Sequence, residues 1–164
     1  MGDNITKRIA ILLAVVLFSL ASYLVYKQVR EHHLQDDPVL LELKETLRPF
    51  FKSDRYWSEP LQKLNNIEDF MEEIKLFRGN KSYTINKEKV FICLKDPDQK
   101  YYNKNMLMFV LLHELAHVLC DEIGHTDKFH EIFDALILEA SKDGIYNPSI
   151  PIIDDYCVNG DHSY

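Results

Sequence analysis

The chain has 164 residues, which is enough for one domain of ordinary size. Aromatic residues make up 12% of it and only five residues are glycine, so its composition excludes a disordered or low-complexity protein. The net charge of -7 at pH 7 gives no support for nucleic-acid binding through a basic surface.

An apolar run without a charge, IAILLAVVLFSLASYLVY, occupies residues 9–26. At a rise of about 1.5 Å per residue, a helix of this length nearly spans a hydrocarbon core of about 30 Å. Basic residues flank both ends, so they do not settle the orientation. The run continues past a small-residue site at 19–21, which favours an uncleaved anchor over a signal peptide. The sequence therefore predicts a short tail, 1–8, and a single transmembrane anchor, 9–26.

A polar stalk, residues 27–37, follows the anchor, and we predict one domain over residues 38–160. Pro38 opens a helical pattern, because proline is well suited to the first turn of a helix. The apolar residues on or near one face of that helix are Leu40, Leu41, Leu43, Leu47 and Phe50.

A turn-rich stretch, 52–60, precedes a second helical pattern from Ile67 to Phe77, for which Gly79 would be the stop signal. The period then changes. Residues 82–85 and 90–94 are rich in β-branched and aromatic side chains and are separated by four polar residues. This arrangement predicts a β-hairpin.

The longest helical pattern runs from Asn103 to Asp121 and is apolar nearly all round, which predicts a buried helix. After Gly124, another helix is predicted from Thr126 to Lys142. The tail, residues 144–164, is predicted to be irregular. These elements together predict an α+β domain preceded by one transmembrane helix.

The HELAH motif at residues 113–117 carries the chemistry. His113 and His117 are four residues apart in a helix, so their side chains lie on one face and can bind one Zn²⁺ at about 2.0–2.1 Å each. Glu114 is placed to take a proton from a zinc-activated water as that water attacks a carbonyl. Burying two imidazoles and a carboxylate in an apolar helix needs compensation, which a metal supplies. The motif therefore predicts a zinc centre with Glu114 as general base.

A catalytic zinc site needs a third protein ligand and one open position. His125 ranks first, because it follows Gly124 and a glycine turn lets the chain fold back over the zinc helix. Glu139 ranks second, since its separation from the motif suits metalloproteases that take a glutamate from a second helix. His130 ranks third. All three residue types can bind zinc.

The HELAH segment at 113–117 and the GHTDKF segment at 124–129 resemble zincin peptidases of the WLM and SprT-like type. The preceding strand at 91–95 is similar to that of small WLM-type proteins encoded by large DNA viruses. The resemblance covers residues 80–157 and is specific around the two histidine motifs. It implies a minimal zincin-like domain, in which a zinc-binding helix packs on a small β-sheet or hairpin. The implied ligands are His113, His117 and His125, with Glu114 as the base.

A tyrosine hydroxyl often stabilises the developing oxyanion in zinc peptidases. Tyr156 and Tyr146, in the irregular tail, are the candidates. We thus predict a membrane-anchored zinc metallopeptidase that hydrolyses peptide bonds in a protein or peptide substrate. The alternative is a catalytically inactive zinc-binding structural protein of a virion or membrane with the same fold.

The three cysteines, Cys93, Cys120 and Cys157, are too few and too scattered for a disulfide framework. An odd count fits a reducing compartment best, which favours the cytosolic face of a host or virion membrane. One bridge and one free thiol are expected if the domain lies outside the cytosol.

Overall fold

A computed structural model describes residues 2–52 and 54–157. The chain divides into two compact units, residues 1–34 and 35–164. The first is made by helix α1 (Gly2–Gln35), which contains the predicted apolar run. Its segment Thr6–Arg30 contains an 18-residue window with a mean hydropathy of 2.5 and is long and apolar enough to cross a membrane.

The second unit begins with helix α2 (Pro38–Leu47), as predicted. The Asp37 carboxylate caps it by accepting a hydrogen bond from the Val39 amide at 3.0 Å. Leu41 lies on the exposed side, contrary to its predicted place on the apolar face. The residues that α2 buries are Leu40, Leu43 and Leu47.

The predicted helix from Ile67 to Phe77 is wrong. After a short 3₁₀ helix (Gln62–Asn66), only α3 (Phe70–Glu73) is helical, and the chain then forms strand β1 (Lys75–Gly79). A short apolar run fits either a helix or a strand, and here pairing with a distant strand decides. Gly79 ends this strand rather than a helix, and a Cβ atom there would lie 2.6 Å from the Lys81 carbonyl oxygen.

The predicted hairpin is confirmed. Strands β2 (Tyr83–Ile85) and β3 (Lys89–Cys93) pair antiparallel, and β1 pairs parallel with the other side of β3. The strand order is β1-β3-β2, so β2 lies at one edge of the sheet. Asn86 and Lys87 both have positive φ, as a tight type I′ turn requires.

Two long helices complete the unit, α4 (Lys104–Leu119) and α5 (Asp127–Lys142), and both were predicted. The side chains of Asn103 and Thr126 cap their first turns. Helix α4 contacts both β2 and β3 and also α5, so it is buried between the sheet and α5. The predicted α+β class is therefore confirmed, and α4 lies at the centre of the domain.

Candidate metal centre

Helix α4 supplies two clustered histidines. His113 and His117 are one turn apart, with ring centroids separated by 5.0 Å. His113 is buried, whereas His117, closer to the end of the helix, is half-buried. The burial of this helix on nearly all sides therefore extends to its histidine face, except near its C-terminal end.

The loop after α4 returns a third histidine to that face. Cys120 ends the helix in an extended conformation. Gly124 then has a φ of +86°, a left-handed conformation that glycine adopts without the steric cost of a side chain. Thr126 immediately begins α5 as its N-cap. His125 is thus fixed between a sharp turn and the start of a helix.

The three imidazoles meet through the same ring atom. The Nε2 atom of His125 lies 3.0 Å from Nε2 of His113 and 3.1 Å from Nε2 of His117. Two nitrogens bound to one zinc ion at about 2.0–2.1 Å in tetrahedral geometry are about 3.3 Å apart. The observed spacing therefore fits zinc after small ring movements. Over residues 2–52 and 54–157, no fourth His, Cys, Asp or Glu ligand joins this group.

Phe129 forms the support beneath the cluster. This residue is fully buried in the first turn of α5. Its ring stacks on His117 with centroids 4.2 Å apart, and it lies 4.9 Å from His113 and 4.8 Å from His125. One rigid side chain therefore contacts all three imidazoles, which restricts their orientations.

The surroundings of His117 and His125 keep these two imidazoles in the form that binds metals. Burial lowers the pKa of His117 to about 4, and the nearby charges of His125 and Lys87 add to the effect. Burial also lowers the pKa of His125, with a further contribution from His130. A neutral imidazole has the lone pair that a metal needs, so both side chains are ready to bind near pH 7.

Glu114 is a buried carboxyl group beside these histidines, with 4% of its surface exposed. The hydroxyl of Thr84 donates a hydrogen bond to its Oε2 atom at 2.8 Å. Burial raises the pKa of Glu114 to about 7, and the hydrogen bond from Thr84 opposes that rise. A carboxyl group of this kind exchanges a proton close to neutral pH, as a general base must.

An open pocket of about 520 Å³ gives access to the cluster. The β2 strand with its turn forms one wall, and the loop at residues 122–125 forms another. Ile123, on this loop, is 94% exposed, so an apolar side chain projects beside His125. Among the described residues, the lining also includes Ser82, Thr84, Lys87 and Glu122.

The two other candidates for third ligand lie outside the cluster. Glu139, near the end of α5, forms ion pairs with Arg55 and Lys142, each at 2.6 Å. His130 is exposed, and its ring centroid is 6.3 Å from that of His125. The structure therefore brings His125, the first-ranked candidate, to the other two histidines and leaves Glu139 and His130 apart from them.

Neither candidate oxyanion tyrosine lines the described pocket. Tyr156 donates a hydrogen bond to the Cys93 carbonyl oxygen at 2.6 Å, and its hydroxyl also lies 2.9 Å from Ser82 Oγ. Tyr146 packs against Phe109, with ring centroids 5.9 Å apart, and burial raises the pKa of its phenol. Both tyrosines therefore have structural surroundings that the sequence pattern did not reveal.

Two of the three cysteines form a disulfide bond. Cys93, at the end of β3, is bonded to Cys157 in the tail, across 64 residues of sequence, while Cys120 is free and buried. This is the arrangement expected for a domain outside the cytosol, so the cysteine count no longer favours the cytosolic face. The bond fixes the tail against the strand next to β2.

Sequence reasoning missed Thr84 and Lys87. Thr84 contacts Glu114 across 30 residues of chain, and no local spacing signals such a pair. Lys87 donates a hydrogen bond to the Cys120 carbonyl oxygen and so connects the hairpin turn to the end of α4.

The sequence also contains a pattern for N-glycosylation that was missed. Asn80-Lys81-Ser82 has the pattern of an acceptor site, and Asn80 is exposed.

The chain is similar to viral proteins. It is 38% identical over 173 residues to Uncharacterized protein 136R of Invertebrate iridescent virus 6, covering 88% of this chain and 97% of that protein. It is 46% identical over 99 residues to Uncharacterized protein 042R of Invertebrate iridescent virus 3, covering 60% of this chain and 62% of that one.

A shorter similarity links the chain to Uncharacterized protein R325 of Acanthamoeba polyphaga mimivirus. The two are 43% identical over 58 residues, which is 34% of this chain and 29% of that protein. No protein-family model and no solved structure matches the chain.

Proposed function

The chain belongs to the family of protein 136R of Invertebrate iridescent virus 6, and we propose that it is a zinc-dependent peptidase anchored in a membrane. One observation carries the proposal. The Nε2 atom of His125 lies 3.0 Å from that of His113 and 3.1 Å from that of His117, and all three histidines line an open pocket together with the buried carboxyl group of Glu114. This is the donor set of a catalytic rather than a structural zinc site, because three ligands leave one position open.

In the proposed hydrolysis, a bound metal and Glu114 would have different roles. A bound zinc ion would acidify a water molecule and polarise the substrate carbonyl. With a metal held by the three histidines, Glu114 would take a proton from the attacking water as the water oxygen forms a bond to the carbonyl carbon. The same carboxyl group then gives the proton to the departing amine as the C–N bond breaks. Its burial and its pKa of about 7 suit both directions of transfer.

A polypeptide is the substrate class that fits the pocket wall. Strand β2 lies at the edge of the sheet and its residues Tyr83 and Thr84 line the pocket. An extended peptide can pair with such an edge through main-chain hydrogen bonds, which do not depend on its side chains. The scissile bond would then pass beside Glu114, to which Thr84 of this strand is hydrogen-bonded.

We further propose that α1 anchors the enzyme and that the catalytic unit lies on the oxidising side of the membrane. The apolar segment Thr6–Arg30 supports the anchor. The Cys93–Cys157 bond supports the side, because disulfides persist in oxidising compartments. The exposed acceptor Asn80 offers a direct reporter: a glycosidase-sensitive shift in size would place it in the secretory lumen.

The test uses the full chain, purified in detergent without added zinc. We expect about one zinc per chain, the stoichiometry of a single three-histidine site. His125→Ala should lose the metal, whereas Glu114→Gln should keep it. A random peptide library, analysed by mass spectrometry, should be cleaved by the wild type and not by Glu114→Gln.

Each failure has a distinct meaning. A folded wild-type chain that holds no zinc after zinc is supplied would refute the metal site and the peptidase together. A chain that holds zinc in all but the His125→Ala variant, yet cleaves no peptide in the library, would favour the inactive structural protein.

A further inference from the structure

We propose that Thr84 is a positioning residue that fixes the direction of the Glu114 carboxyl group at the pocket. The inference rests on the proposed peptidase function and adds a residue to it. Thr84 lies on β2, whereas Glu114 lies on α4, and the two positions are 30 residues apart. The hydroxyl oxygen of Thr84 is 2.8 Å from Glu114 Oε2 and 3.1 Å from the main-chain oxygen of the same residue.

The Thr84 hydroxyl contacts two oxygen atoms of Glu114. A hydroxyl group has one proton to donate and two lone pairs to accept with. Thr84 donates this proton to Oε2, and the main-chain oxygen of Glu114 lies within reach of the same hydroxyl. The hydroxyl is therefore held against two oxygen atoms of one residue, which fixes the direction of the carboxyl group.

The hydrogen bond from Thr84 is important because the Glu114 carboxyl group is buried. Glu114 is 4% exposed, so bulk water does not stabilise its charge as it would at the surface. A buried carboxyl group with no hydrogen-bond partner is costly in either protonation state. The hydroxyl of Thr84 meets this need while fixing the direction of the carboxyl group, which a water molecule would do less rigidly.

The placement of Thr84 also links the substrate to the base. Thr84 lines the pocket on the edge strand where the peptide would pair, and its side chain contacts the residue that would take the proton. A peptide that straightens or shifts β2 would therefore move the hydroxyl that orients Glu114. In this arrangement, a movement of the edge strand would change the orientation of the general base.

The test compares Thr84→Val with Thr84→Ser in the full chain in detergent. Valine keeps the shape and favours strands, so the fold should persist, and its melting temperature confirms it. Zinc content should match the wild type, since no metal ligand changes. Initial rates on the peptide library should fall by about 10–100-fold in Thr84→Val, as for other residues that orient catalytic groups. Thr84→Ser should stay close to the wild-type rate, because it keeps the hydroxyl donor.

A second readout does not depend on turnover. Acetohydroxamic acid loses its N–O–H proton when it binds a metal, and a neighbouring carboxylate can accept that proton, so its affinity reports a correctly held Glu114. Calorimetry on the zinc-loaded chains should show weaker binding for Thr84→Val and not for Thr84→Ser. Thr46→Val is the matched control, because its hydroxyl donates to the Glu42 main-chain oxygen at 2.7 Å on the exposed side of α2.

The outcomes separate the two proposals. Wild-type rates and hydroxamate affinity in a zinc-loaded Thr84→Val chain would overturn the role of Thr84 and leave the peptidase intact. Equal losses in Thr84→Val and Thr84→Ser would also overturn it, because the hydroxyl would then not be the operative group. A wild-type chain that binds no zinc would overturn both.

Discussion

The helical side of the pocket brings three histidines together within 12 residues of sequence, whereas contacts on the sheet side join residues 30 to 74 positions apart. On the helical side, one helical turn and one glycine turn are enough. On the sheet side, Thr84 contacts Glu114, and Tyr156 contacts Ser82, through side-chain hydrogen bonds. We infer that metal binding depends on the helical side, and that orientation of the base and stability of the wall depend on the sheet side.

The largest expected effect tests the helical side directly. His117→Ala removes one of three ligands, so zinc affinity should fall by more than about 100-fold, beyond the loss seen when only outer-shell partners change. Peptide cleavage should be abolished. Competition with a chromogenic zinc chelator measures the affinity. His130→Ala is the matched control and should keep both properties, since it lies close to the site but outside the cluster. A drop in both variants would mean that local packing, not metal ligation, is being measured.

Breaking the Cys93–Cys157 disulfide tests the sheet side of the pocket. Cys157→Ser opens a loop of 64 residues, which should cost about 4 kcal/mol of unfolding free energy on the loop-entropy estimate. Urea unfolding under oxidising conditions measures this cost, and a reducing agent should produce a similar loss in the wild type alone. Zinc should still bind to the folded fraction. Loss of zinc from chains that remain folded would contradict the separation of the two sides.

A pH dependence should distinguish Glu114 from its uncharged isostere in the metal-free protein. Folding raises the pKa of Glu114 from 4.5 to about 7, so the wild type loses stability as pH rises through this window. Glu114→Gln has no such group. Below pH 4.5, the difference in unfolding free energy between the two chains should not change with pH. Above pH 7, this difference should have shifted by about 3 kcal/mol in favour of the variant. Chemical unfolding across this range, with a chelator present, measures the gain. A constant difference across the whole range would refute the assignment.

The smallest effect concerns the hydrogen bonds behind β2. Tyr156→Phe removes the donor to the Cys93 carbonyl oxygen and the partner of Ser82, and we expect a loss of about 1–2 kcal/mol. Tyr56→Phe, at an 86% exposed position, should change nothing. Thermal unfolding compares the two variants. If Tyr156→Phe instead abolished cleavage without altering stability, the tyrosine would have a role at the pocket that its position in the structure does not suggest.

Much of the helical side could be predicted from the sequence. The spacing of His113 and His117 follows from the helical period, and the place of His125 follows from the glycine before it. The apolar run in α1 and the bounds of α4 and α5 were predicted for the same reason. Each depends on residues a few positions apart, whose geometry the backbone itself determines.

The tertiary structure decided the rest. Residues 75–79 form a strand because β3 offers a partner, although their local pattern also fits a helix. Glu139 pairs with Arg55, 84 residues away, and Tyr156 turns to Cys93 rather than to the pocket. The hydroxyl that donates a hydrogen bond to Glu114 comes from a strand that is far from helix α4 in the sequence. Sequence spacing determines which groups share a helix face, whereas packing between distant segments determines which groups meet across the pocket.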